Sequence, residues 1–208
     1  MNFFPKKDDV KKSIRMTRIC SFFSFLLTIL LLFAAQDFIV TVVSDSGSYE
    51  VRHELEDTLG NGQMVYRLYR DGEYMGDVDY NKYYLLDSEG STDFRYCTII
   101  DDAGSLSYAV ILGVMLMLVI KIIDSTQRGT PFTKANVKRI RAISLLQLAL
   151  AVVPGTVKLI MTFVRFDYAS TTFSMGSFYM FIISFVIAMI AQAFDYGVRL
   201  QEDSDSIA

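Results

Sequence analysis

The sequence predicts an all-α membrane bundle of four transmembrane helices, with a small antiparallel β-rich extracellular insertion between helices 1 and 2. Three observations predict it. Four apolar runs are each long enough to cross a hydrocarbon core. Lys and Arg gather beside the ends of these runs instead of spreading along the chain. Between the first two runs lies a long acidic stretch whose apolar and polar residues alternate as strands require. The chain has 208 residues and is 52% apolar, enough for one bundle with a small appendage. Charge and apolarity are segregated into blocks, which a soluble domain would interleave.

Residues 1–18 form a basic segment, with Lys6, Lys7, Lys11, Lys12, Arg15 and Arg18 against Asp8 and Asp9. Helix 1 is expected over 19–43. A basic stretch before an apolar core also suits a cleaved signal peptide. Phe33, however, occupies the −3 position for cleavage after Ala35, where a small residue is wanted, so an uncleaved anchor is expected. Residues 44–105 form the outer loop. From Asp37 to Asp102 there are fifteen Asp/Glu against Arg52, Arg67, Arg70, Lys82 and Arg95. Met64–Arg70 alternates, and Asp71-Gly72 follows as a hairpin turn leading to Glu73-Tyr74-Met75. Asn61-Gly62 offers a second turn, while Tyr83–Leu86 and Phe94–Ile100 are further strand candidates, giving three to five strands.

Helix 2 is expected over 106–123, spanning roughly 27 Å, with Lys121 placed to snorkel. A basic joint occupies 124–141. Helix 3 covers 142–164 and carries Gln147, Pro154 and Lys158, the proline predicting a kink. A short outer link over 165–174 leads to helix 4 over 175–198. The acidic tail, 199–208, is expected to be mobile. The amino-terminal segment holds six Lys/Arg and the joint five (Arg128, Lys134, Lys138, Arg139, Arg141), against one in the outer link. Positive charge marks the cytoplasmic side, so both termini and the joint are expected inside the cell membrane and the acidic loop outside.

Chemistry-bearing patterns are sparse. Cys20 and Cys97 would lie on opposite sides of the membrane and could not pair. His53 is the lone histidine and is expected at the surface. Asp77 with Asp79 and Asp101 with Asp102 are paired carboxylates of a kind solvated loops produce routinely, although the loop's many oxygens leave weak calcium binding open. No zinc spacing, phosphate loop or nucleophile elbow is present, so a non-enzymatic protein without cofactors or bound metal is expected. Lys158 calls for a partner or a snorkelling path, with Gln36 or Asp37 and Asp167 as candidates at similar depth. Asp195, with Gln192, poses the same question near the inner end of helix 4.

At the joint, Thr133 suits an N-cap, Phe132 and Val137 suit a hydrophobic staple, and Gly129 with Pro131 make the turn. Thr133, Lys134, Lys138, Arg139 and Arg141 are candidates for contact with anionic inner-leaflet lipid or with an acidic cytosolic partner. Direct nucleic-acid binding is not expected. Gly129-Thr130-Pro131-Phe132-Thr133 followed by Asn136-Val137-Lys138-Arg139-Ile140-Arg141-Ala142-Ile143 resembles an uncharacterised family of bacterial four-helix membrane proteins, a domain of unknown function. That family's joint looks like GxPFTxxNVxRLRxIG, and its tail is similar to Leu200–Ile207 except at the last positions. The resemblance implies a pairing with a small helix-turn-helix regulator, since members are often encoded beside one. It brings no catalytic residue. A membrane regulator is therefore the leading expectation. The alternatives are an immunity or protective protein against a toxin or cationic peptide, and a small transporter or channel component.

Overall fold

The computed structural model describes residues 7–56, 63–78, 93–167 and 175–207. Among these, the order is α1 (Lys7–Val43), a single 3₁₀ turn (Ser46–Ser48), β1 (Tyr49–Glu56), β2 (Gln63–Arg70), β3 (Glu73–Val78), α2 (Phe94–Gln127), α3 (Lys134–Phe166) and α4 (Met175–Ile207). The expected turn at Asn61-Gly62, the strand candidate Tyr83–Leu86, Asp79 and the outer link from residue 168 lie outside the described residues.

The four helices are each long and apolar enough to cross a membrane. They leave many large apolar side chains uncovered, among them Phe22, Phe25, Leu32, Met117, Val164 and Phe185. A large side chain left in water forfeits about 1.5–3 kcal/mol, a loss that hydrocarbon surroundings remove. The chain is a multi-pass membrane protein.

Its contacts divide into two compact units. One holds Phe33–Ser107 and Pro154–Thr172. Here β1, β2 and β3 form an antiparallel sheet in sequence order. The two-residue turn between β2 and β3 has φ of 51° at Asp71 and 82° at Gly72, the paired left-handed geometry that Asp-Gly favours and that matches the strand twist. Tyr49 and Leu68 from the sheet pack with Cys97 and Ile100 of α2 and Phe166 of α3. At the exposed start of β1, a hydrogen bond from Arg52 holds the Glu50 carboxyl below its usual range, desolvation opposing it only in part.

One expectation fails in this unit. Phe94–Ile100, read as a strand for its aromatic and β-branched content, is the first two turns of α2. Asp93 caps it, its carboxylate accepting from the Tyr96 N–H at 3.0 Å. The buried residues Cys97, Ile100 and Gly104 then recur at helical spacing, so tertiary packing overrides local strand preference. Helix 2 thus begins twelve residues before the expected 106.

The other unit holds Met1–Leu32, Tyr108–Val153 and Phe173–Ala208. Its seam joins α3 to α4. Ser144 Oγ donates to the Ser184 carbonyl at 2.9 Å, and Ser184 Oγ donates to the Ser144 carbonyl at 2.8 Å. Gln147 Nε2 reaches Met180 Sδ at 2.8 Å. Small hydroxyls that bond across helices allow close approach where no hydrophobic force separates helix from lipid. Pro154 is accommodated within α3, which continues to Phe166. The acidic tail is helical, α4 running to Ile207.

Candidate functional site

The joint is built by its own polar groups. Gly129, at φ 79°, turns the chain out of α2. Thr133 is the N-cap of α3, as expected, its Oγ1 accepting from the Asn136 N–H at 3.2 Å. Asn136 is the residue that the spacing gave no role. Its side chain is fully buried. Its Nδ2 donates to Ser125 Oγ and to the Pro131 carbonyl, both at 2.9 Å, while its Oδ1 accepts from Arg139 Nη1 at 2.8 Å. Arg139 also donates to the Lys121 carbonyl at 3.1 Å. One amide therefore binds the end of α2, the turn and the start of α3. Leaving such a buried amide without partners costs about 1–3 kcal/mol. The sequence signal was present, since an Asn in the first turn after an N-cap is a poor helix former that wants a local partner.

The five candidate contact residues separate by role. Thr133 and Arg139 hold the joint together. Lys134, Lys138 and Arg141 fall at i, i+4 and i+7 on α3 and are exposed, forming one basic stripe. Two of the three meet α4. Lys134 Nζ lies 2.8 Å from Glu202, and Arg141 lies 3.5 Å from Asp195, which Arg199 also approaches at 3.2 Å. Phe132, expected to staple Val137, lays its ring against α4. It stands 5.3 Å from the Phe194 ring and so close to Gly197 that a Cβ there would fall within 2.7 Å of it.

Lys158 finds a carboxylate, but neither Asp37 nor Asp167. Its Nζ lies 2.8 Å from Asp101 Oδ1. The extra turns at the start of α2 bring Asp101 to the level of Lys158, a placement that a helix beginning at 106 could not offer. The lysine stem runs over Gly104, where an added Cβ would collide with Cε. The neighbouring Asp102 turns the other way and accepts from Thr41 Oγ1 of α1 at 2.8 Å. Asp37, one turn before Thr41, contributes its carbonyl to the Thr41 hydroxyl at 2.9 Å. Consecutive carboxylates thus tie α2 to both α1 and α3. Among the described residues no group of three or more His, Cys, Asp or Glu is placed to hold a metal ion. Cys20 and Cys97 are both free thiols, Cys97 being buried.

Residues 88–207 match the model of a family described as a protein of unknown function (DUF2975). The chain belongs to the DUF2975 family. No curated protein and no solved structure matches it. The matched DUF2975 residues take in α2, α3 and α4, and hence the Asn136 network, the basic stripe, Glu202 and the Lys158–Asp101 pair. The sheet, Asp37 and Thr41 lie before the DUF2975 match begins.

Proposed function

We infer that this DUF2975 protein is a non-enzymatic regulator in the cell membrane, whose joint docks the acidic surface of a soluble cytosolic partner. The observation that supports this is the division of labour along the first turns of α3. Arg139 turns inward to hold Asn136, while Lys134, Lys138 and Arg141 line up outward on a helix start that the Asn136 network holds in place. A preorganised basic stripe suits recognition of carboxylates on a partner. The partner class comes from the family resemblance and is a small helix-turn-helix regulator. The abundance of Lys and Arg near the amino terminus and the joint supports a topology with both termini on the cytoplasmic side and the sheet outside.

Co-purification with a small helix-turn-helix regulator tests the docking. The intact chain is expected to retain it from detergent, and the triple variant Lys134→Gln, Lys138→Gln, Arg141→Gln is expected to lose at least tenfold of it. Equal recovery of the regulator by both proteins refutes docking through the stripe. A deletion strain that becomes sensitive to cationic peptides without any transcriptional change would favour a protective protein. Orientation is read with an impermeant thiol reagent. Ser46→Cys should react in intact cells and Lys138→Cys only after permeabilisation, and the reverse pattern inverts the assignment.

A further inference from the structure

Lys134 and Arg141 are seven residues apart on α3, and Asp195 and Glu202 are seven apart on α4. Seven residues make nearly two helical turns, so each pair shares one face. The structure joins them crosswise, Lys134 to Glu202 and Arg141 to Asp195, as two rungs between antiparallel helices. What stands behind the rungs differs. Beside Asp195, α4 is anchored: Ala191 and Val198 are buried and Gly197 receives the Phe132 ring. Beyond Val198, every described side chain from Arg199 to Ser204 is exposed. From these last turns Glu202 reaches Lys134 of α3.

We propose that the last turns of α4 are an electrostatic latch. Glu202 occupies Lys134 as an internal stand-in for the carboxylates of the docking partner, and the partner binds by displacing it. This rests on the docking inferred above and adds its regulation. The geometry also describes the partner's surface: two carboxylates one helical turn apart match Lys134, once released, and Lys138. Lys138, exposed and outside either rung, is open to a first encounter. An exposed ion pair shifts an equilibrium by only about two- to fivefold, which suits a latch that a partner must open.

The test uses the full chain in phosphatidylcholine nanodiscs, where no anionic lipid competes, with fluorescein-labelled deca-glutamate as the probe. Both substitutions sit at exposed positions and leave the buried seam intact. Glu202→Gln is expected to tighten probe binding about two- to fivefold, Lys134→Gln to weaken it, and Glu202→Gln to have no effect once Lys134→Gln is present. Independently, acetylation of Lys134 relative to Lys138 in the same molecule should rise about twofold or more in Glu202→Gln. An unchanged acetylation ratio overturns the latch whatever the probe does. A raised ratio with equal probe binding by the wild type and Glu202→Gln overturns the competition while docking stands. A raised ratio with no probe binding by any form overturns the docking itself.

Discussion

Two lysines of α3 each meet a carboxylate at 2.8 Å, Lys134 with Glu202 and Lys158 with Asp101, and the equal distances conceal different interactions. The Lys134 pair is open to water, with side-chain exposures of 73% and 54%. The Lys158 pair is at 37% and 21%, and the lysine stem is pressed onto Gly104 along a helix that crosses lipid. In water a separated pair is simply rehydrated. In a membrane a separated lysine and aspartate must each find another polar partner or reach the interface. The first pair can therefore work as a switch, and the second is part of the frame. Distance alone does not tell which is which; enclosure does.

The comparison breaks most sharply at Gly104. Gly104→Ala puts a methyl group where the Lys158 stem lies, and we expect a loss of about 2–3 kcal/mol in reversible detergent unfolding. In a Lys158→Ala background, where the space is empty, the same substitution should cost less than about 0.5 kcal/mol. If Gly104→Ala is silent in the wild type, the lysine does not depend on that close approach. Next comes Asp101→Asn, expected to cost about 1–2 kcal/mol, below the 3–5 of a fully buried pair because Lys158 is more than a third exposed. Adding Lys158→Met should recover most of that loss. The smallest effect belongs to Glu202→Gln, less than about 0.5 kcal/mol and fading with added salt. A larger loss there would make Lys134–Glu202 a structural pair and erase the distinction between the two lysines.

The sequence alone carried the four crossings because lipid demands long apolar runs, and it carried the β2–β3 hairpin because Asp71-Gly72 favours one kind of turn. It carried Thr133 because capping is local. It did not carry the partner of Lys158. That depended on where α2 begins, and Phe94–Ile100 contains residues that favour a strand until Asp93 caps them and Cys97 and Ile100 pack beneath the sheet. Nor did composition reveal the end of α4. An acidic run reads as solvated tail, and only the matched seven-residue spacings on two different helices show that Glu202 and Asp195 have counterparts. Asn136 was visible in the motif, but its three partners come from Ser125, Pro131 and Arg139, which the fold alone brings around one amide.

The neighbouring carboxylates of α2 bear on how the protein is made. Thr41 leaves the ribosome before Asp102, so the tie between α1 and α2 has both halves as soon as α2 enters the membrane. The contact of Asp101 with Lys158 comes later, since Lys158 is translated 57 residues after it. The tie of α2 to α1 can thus form before the contact of α2 with α3.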